Sequence, residues 1–341
     1  MSRTKVSEIG RRTHERPDEG ARARAAGSRR DHSARAEGAP GVDVAIVVVT
    51  HNSAADLPRL LGSLDADEAR NTFEVIVVDN ASSDNTVDIA RAAGVRCFAQ
   101  GENSGYAAGI NAGVRACSKH AALLVLNPDV VLEPDCMGKL LDAFADPRVG
   151  VVVPQLIDEC GRCSPSLRRE PTLLRALGDA LFGGKFRARP SFLSEIVWDD
   201  SAYRSDRTVD WATGAVVLIS ARCEAALGPW DESFFLYSEE IDYCARTRAA
   251  GLHVRFVPDA IARHSGGGSG GRADVLIALM AINRVRYFER RHARAAAAVF
   301  RALVALHELF RSSDPAHRRA FFILLRRSRW TALMELLSAA P

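Results

Sequence analysis

Val44-Ala45-Ile46-Val47-Val48-Val49-Thr50-His51-Asn52-Ser53 passes from six consecutive apolar residues straight into four polar ones. An unbroken, largely β-branched run describes a strand covered on both faces, because a strand with one wet face alternates. The polar tail marks that strand's carboxyl end. The same pattern recurs at Val75-Ile76-Val77-Val78-Asp79, and at 122–126 followed by Asn127-Pro128-Asp129. Helices are predicted between these runs, over 54–65 with Ser53 as N-cap, over 83–93 and over 107–118, with a short strand at 95–98. Strand and helix therefore alternate from 43 to about 150, which predicts βαβ units and a mainly parallel sheet. Ligands of such sheets bind beyond the carboxyl ends of the strands, where 50–53, 79–84 and 127–129 all fall.

Beyond 150 the pattern loosens. Residues 158–172 are polar and rich in Arg, Pro and Ser, and suit a loop over a site. A strand is expected at 209–219, a short helix at 221–227, a helix at 238–250 with acidic residues near its start, and a strand at 253–257. A glycine-rich loop follows from His264 through Gly271, and the chain is then helical from 274, with Arg among Ala, Leu and Phe. The expected organisation is a disordered basic arm (1–41), a catalytic domain (42–273) divided near 150 into a nucleotide half and an acceptor half, and a helical extension (274–341). The arm carries too little apolar surface to offset the entropy of ordering.

The 341 residues carry 45 Lys and Arg against 42 Asp and Glu, a net +3 that gives no reason to expect a nucleic-acid partner. Seven cysteines form no even framework, no secretion-type apolar segment opens the chain, and no 18-residue uncharged apolar run occurs. A cytoplasmic protein is expected, with any membrane contact peripheral, on the inner face. Arg301, Phe310, Arg318, Phe321, Phe322, Arg326, Arg327 and Trp330 suit a basic amphipathic membrane-surface element, and equally an ordinary packed helix with a solvated face.

Three groups of residues bear on chemistry, and together they point to a nucleotide-sugar site. Asp79 ends a buried strand, where a carboxylate accepts hydrogen bonds from a base or ribose; a turn and helix cap supplied by Ser83 and Asp84 accounts for the segment equally well. Asp129, presented by Pro128, suits a hard divalent cation whose shell is completed by phosphate oxygens, with His264 as second ligand. In isolation, Pro-Asp reads as a turn and a lone His as structural. Glu239, Glu240 and Asp242 open a helix, where three acids meet the helix dipole favourably. Clustered carboxylates with raised pKa also suit a general base. Gly266, Gly268 and Gly271 match G-x-G-x-x-G without the βαβ unit that motif requires, and read better as a mobile lid or phosphate-facing loop. Cys160-Gly161-Arg162-Cys163 lacks the second pair of a zinc site.

Taken in order, Val-Val-Thr50-His51-Asn52-Ser53, Val-Val-Asp79-Asn80-Ala81-Ser82, Asn103-Ser104-Gly105-Tyr106-Ala107-Ala108-Gly109-Ile110-Asn111, Leu-Asn127-Pro128-Asp129, Trp211-Ala212-Thr213-Gly214-Ala215 and Asp231 through Asp242, with His264 downstream, resemble the family 2 glycosyltransferases and their rhamnosyltransferase-like branch over about 43–290. The resemblance implies an α/β GT-A fold and inversion at the anomeric carbon by direct displacement. It assigns Thr50, Asn52 and Asp79 to the nucleoside, and Asn103, Gly105, Asn111 and Asn127 to the donor pocket. Asp129 and His264 would hold Mg2+ or Mn2+. Glu240 falls where the family usually has the Asp of a Glu-Asp pair, its base; Glu is longer, and Glu239 stays an alternative. Asn127 replaces the first acid of the familiar Asp-x-Asp, implying weaker metal affinity. Trp211, Thr213, Gly214 and Asp242 would lie on the acceptor side. The implied donor is dTDP-L-rhamnose and the acceptor a glycolipid or polysaccharide, with a UDP-hexose or UDP-N-acetylhexosamine donor as the alternative. A nucleotidyltransferase would carry a Gly-rich, Lys- or Arg-bearing loop after the first strand, which 50–53 is not.

Overall fold

A computed structural model describes residues 41–64, 71–183, 189–266 and 273–338. The expected N-terminal arm, most of the glycine-rich loop and the last three residues lie outside the described residues.

The chain opens with β1 (Val42–Thr50), α1 (Leu57–Leu64), β2 (Phe73–Asp79), α2 (Thr86–Ala92), β3 (Arg96–Ala99), α3 (Tyr106–Ala116) and β4 (His120–Leu126). It continues with β5 (Val130–Leu132), α4 (Cys136–Asp142), β6 (Val149–Ile157), β7 (Leu167–Arg168), α5 (Leu173–Phe182), β8 (Arg207–Val209), β9 (Trp211–Ala212), β10 (Val216–Ser220), α6 (Ala221–Leu227), α7 (Glu239–Ala249) and β11 (His253–His264). Four helices end it: α8 (Ala273–Arg291), α9 (Arg294–Leu309), α10 (Pro315–Leu324) and α11 (Arg327–Ser338).

Nine strands form the main sheet in the order β3-β2-β1-β4-β10-β6-β11-β5, with β8 also paired to β11. The first four are parallel, as the alternation predicts. β10 enters antiparallel between β4 and β6, so the sheet is mixed beyond that point. The apolar run of β1 is covered on both faces. Val44, Ile46 and Val48 pack with α1 and α4, whereas Ala45, Val47 and Val49 pack towards α3 and α7. A third cluster joins α5 to the C-terminal helices through Ala176, Ile282, Phe288, Phe300 and Trp330.

Several local expectations need correction. α1 starts at Leu57, and the Ser53 hydroxyl is exchanged with the His51 backbone, so it is not a side-chain cap; Asp56 N and Leu57 N donate instead to the Ser53 carbonyl. The strand expected at 209–219 is broken by a turn at Gly214-Ala215 into β9 and β10, which join different sheets. The stretch 158–172 is not all loop, since β7 pairs with β9 in a separate two-stranded sheet. β11 runs to His264, seven residues past the expected end, because the pairing with β6 shifts register between Val257 and Ile261 and resumes. Pro258 lies inside that shift, where its missing N–H interrupts no ladder bond.

Candidate active site

The carboxyl ends of β1, β2 and β4 open into one cleft of about 500 Å³. Its lining includes Thr50, His51, Asn80, Asn103, Gly105, Asn127, Asp129 and His264 from the sheet side, and Tyr106, Phe235, Leu236 and Tyr237 facing them; Leu276 of α8 closes one edge.

Register brings Asp129 and His264 together. β11 runs antiparallel beside β5 with His264 opposite Val130, and this sets His264 next to Asp129. The His264 Nε2 lies 3.3 Å from the Asp129 Oδ1, and Ser265 donates from its N and Oγ to the Asp129 carbonyl. Asp129 is 4% exposed and His264 partly buried. A carboxylate oxygen and an imidazole nitrogen this close, both opening on the cleft, fit a divalent cation that takes its remaining ligands from phosphate and water.

On the facing wall, α7 starts from Ser238, and Phe235, Tyr237 and Ser238 all adopt positive φ of 64–77°. Such backbone in residues other than glycine is strained and persists only where surroundings enforce it. Asn283 of α8 does so, its amide donating to the carbonyls of Phe234, Leu236 and Tyr237 at 2.5, 2.9 and 3.2 Å. The strained turn aims the first residues of α7 inward. Burial holds the Glu239 carboxyl well above the usual carboxylate value, and the neighbouring Glu240 pushes it further. Burial likewise raises Glu240, opposed by backbone amides and by Arg168. One oxygen of each carboxyl is buried without a hydrogen-bond partner among the described residues. Gly214 makes room for Glu240, since a Cβ there would stand 3.1 Å from its Cβ.

Tyr106 links the two walls. Its buried hydroxyl also lacks a partner, and its pKa is raised by burial and by the charges of Glu239, Glu240 and Asp129. Glu239, Glu240 and Asp129 therefore act on one buried phenol, although Asp129 lies more than a hundred residues before the two glutamates in the chain.

The other expected residues divide. Asp79 lies beside Thr50 in the β1–β2 register, buried; Thr50 Oγ1 and Ser82 Oγ donate to its Oδ1 at 2.8 and 2.5 Å, and Ser82 N to its Oδ2 at 2.9 Å. It braces the strand ends and does not line the cleft wall. Asn52, at φ 53°, accepts from the N and Oγ of Ser83. Asn103 accepts from Gly105 N at 3.1 Å, Gly105 takes φ 93°, and Asn127 N donates to the Ala215 carbonyl, joining β4 to the Gly214 turn.

Two assignments need correction. Asn111 is buried with its amide exchanging hydrogen bonds with Trp230 N and O and donating to Glu232 Oε1, so it braces α3 and does not line the pocket. Asp242 has both oxygens occupied by Arg246 and Arg291, each at 2.8 Å, and ties α7 to α8 where an acceptor residue was expected. Trp211 is packed against Phe234, Ile241 and Tyr287, and its indole N–H donates to the Arg169 carbonyl. Thr213 is held to the Ser166 carbonyl.

Sequence reasoning missed Tyr106, Arg168, His51 and Asn80 as site residues. All but Arg168 stand inside the quoted motifs, and Arg168 stands in the Arg-rich stretch expected over a site. His51 Nδ1 donates to the Asn80 carbonyl at 2.7 Å, and Asn80 donates to the Gly105 carbonyl, so these motifs are stitched to one another.

Comparison with known proteins agrees with this arrangement. The chain is 31% identical over 246 residues to an N-acetylglucosaminyl-diphospho-decaprenol L-rhamnosyltransferase of Mycobacterium tuberculosis, covering 67% of this chain and 77% of that one. It is 25% identical over 229 residues to Rhamnosyltransferase WbbL of Escherichia coli K12, covering 65% and 83%. A solved structure of GalNAc-T7 with UDP, GalNAc and Mn2+ superposes with a TM-score of 0.53 at 15% identity over 73% of this chain; the chain spans about half the length of that protein, at 48%. The likeness there is one of fold. Residues 45–194 match the model of Glycosyl transferase family 2, and that span carries β1, β2 and β4, whose carboxyl ends build the cleft. This chain belongs to glycosyl transferase family 2 and is a glycosyltransferase of the GT-A fold.

Proposed function

We propose that the chain is an inverting, cation-dependent glycosyltransferase that moves L-rhamnose from dTDP-L-rhamnose to a hydroxyl of a lipid-linked glycan or growing polysaccharide. The observation that carries the reading is the cleft-lining phenol of Tyr106, on which the charges of Asp129, itself beside His264, and of the paired Glu239 and Glu240 carboxyls all bear. The rhamnosyl donor is supported by two relatives named as rhamnosyltransferases. The lipid-linked acceptor is supported by the decaprenol-linked substrate in one of those names. A second reading, with a UDP-hexose or UDP-N-acetylhexosamine donor, keeps the same cleft and chemistry.

Asp129 and His264 would hold Mg2+ or Mn2+, which when bound neutralises charge on the departing diphosphate. Thr50, Asn52 and Asp79 shape the strand-end crevice that receives the nucleoside, with Asp79 fixing the turn at Ser82. Glu240 takes the proton from the acceptor hydroxyl as that oxygen attacks the anomeric carbon. Its raised pKa makes it a stronger base than a solvated carboxylate, and the nearby Arg168 opposes that rise and keeps the anion accessible. Among the described residues no helix is long and apolar enough to cross a membrane. A lipid-linked acceptor would therefore be met at the bilayer surface. The 58% and 50% exposed Phe310 and Phe322, near Arg318 and Arg319, support such a contact, whereas Trp330 is buried beneath Arg301 and Arg327.

A melting-temperature panel of dTDP-, UDP- and GDP-sugars with and without Mn2+ tests the donor, because a ligand of the native state raises apparent stability. Selective stabilisation by dTDP-L-rhamnose is expected. Replacing Asp129 by Ala should remove the Mn2+-dependent part of the shift. A donor response identical with Mn2+ and with chelator would remove the cation from the mechanism, and a response confined to UDP-sugars would transfer the reading to the second donor class.

A further inference from the structure

His307 and Glu308 occupy the last turn of α9, and His317 the first turn of α10. Each offers one ligand atom, and the three atoms lie within 4.8 Å of one another. None of the three lines the donor cleft. Glu308 is 5% exposed, and its Oε2 stands 2.7 Å from His317 Nδ1. The carboxylate is thus buried at the negative end of a helix dipole, a place that favours a cation and disfavours an unpaired anion. His307 Nδ1 is 2.9 Å from the carbonyl of Asp179 in α5, to which it donates, leaving the lone pair of Nε2 free to act as a ligand. A ring N–H anchored on a backbone carbonyl is the usual support of a metal-bound histidine.

The charges of Arg284 and Arg311 bear on His307 and Glu308, but neither guanidinium is hydrogen-bonded to the Glu308 carboxylate. Arg284 is paired with Asp179 and Glu195, and Arg311 donates to the carbonyls of His307, Ala180 and Asp179. Both guanidiniums are thereby held against acceptors other than the Glu308 carboxylate.

We propose that His307, Glu308 and His317 form a second metal site, selective for Zn2+, that fastens α9 to α10 and, through Asp179, to α5. Two imidazoles and a carboxylate make the borderline nitrogen and oxygen set that zinc takes, with water as the fourth ligand. Ligand atoms on one zinc stand about 3.3 Å apart, so the three groups draw together by up to about 1.5 Å, which the partly exposed His317 can supply. The role is structural, since the site couples helix ends of the C-terminal extension and has no share in the donor cleft.

The test uses full-length protein in which Asp129 and His264 are both replaced by Ala, so that the cleft cannot contribute. Equilibrium dialysis against Zn2+ should leave one equivalent bound, and Zn2+ should raise the melting temperature by several degrees. Adding His317→Gln, or Glu308→Gln in a separate protein, should weaken Zn2+ binding by about tenfold or more and abolish the thermal shift. Circular dichroism of each variant without metal serves to confirm that it is folded. No bound zinc in the Asp129/His264 double variant would overturn the site, as would binding that persists unchanged in both the His317→Gln and Glu308→Gln proteins. Because no step depends on transfer activity, failure here leaves the proposed glycosyl transfer untouched, and failure of that reading leaves this one standing.

Discussion

At the scale of single residues the two glutamates at the start of α7 carry the sharpest consequences. Replacing Glu240 by Gln should lower kcat by about 100-fold or more, because the acceptor proton loses its base. Affinity for the nucleoside diphosphate should stay within about threefold. Glu239→Gln should leave more of the rate, and the reverse ranking in steady-state kinetics would move the base to Glu239. The pair also sets a stability trend. The Glu239 pKa is raised in the folded state above its ordinary 4.5, by burial first and by Glu240 second. Its contribution is therefore fully present below pH 4.5 and is lost as pH rises through the raised folded value. Each unit of elevation corresponds to about 1.4 kcal/mol lost by the time the group is fully ionised. Glu239→Gln cannot ionise, so urea unfolding should find the variant gaining on the parent between pH 5 and pH 8. A constant difference across that range would mean Glu239 is not held protonated.

At the scale of elements, legibility followed periodicity and failed where contacts between distant segments decide the outcome. β1, β2 and β4 were readable because a strand covered on both faces must be apolar throughout; α6 and α7 fall close to the helices expected at 221–227 and 238–250, the first capped by the Ser220 hydroxyl and the second starting from a strained Ser238 that makes no side-chain cap. The break between β9 and β10 was not readable, since Val216-Val217-Leu218-Ile219 continues the apolar pattern of Trp211-Ala212. Pairing between distant segments sets it, β9 joining β7 while β10 enters between β4 and β6. A strand end was legible at Asp129, whereas β11 runs seven residues past its expected end to His264, and the direction of a side chain at a helix was hidden. Asn111 reads as a pocket residue from its motif, yet its position on α3 turns it towards Trp230. Asn111→Ala should leave Trp230 N–H and C=O without partners in a buried place, lowering stability by about 2–3 kcal/mol. The urea midpoint measures that loss. Donor affinity of the folded protein should remain within about threefold, and a collapse of affinity with unchanged stability would return Asn111 to the pocket.

For the molecule as a whole, the cleft cannot be assigned to one half of the chain. β10 inserts antiparallel between β4 and β6, so the sheet is continuous across the boundary expected near 150. The facing wall depends on α8, which lies beyond the expected catalytic domain altogether. Asn283 is fully buried, and its amide is the group that holds the carbonyls of Phe234, Leu236 and Tyr237 in the strained turn. Asp242 adds a second tie through Arg291. On the proposed mechanism the helical extension thus supports the base, through Asn283 and Arg291. Asn283→Leu keeps the branched shape of the side chain, with somewhat larger volume, and removes the donor. It should lower the melting temperature and, measured well below that temperature, cut kcat by about tenfold or more as Glu240 loses its fixed approach. Asn111→Ala supplies the comparison, because it too removes a buried amide, one bonded to Trp230 and Glu232 just ahead of the strained turn and not to the turn's own carbonyls. If both variants lose stability but only Asn283→Leu loses turnover, α8 positions the base; if both retain full turnover once folded, the extension does no more than pack against the sheet.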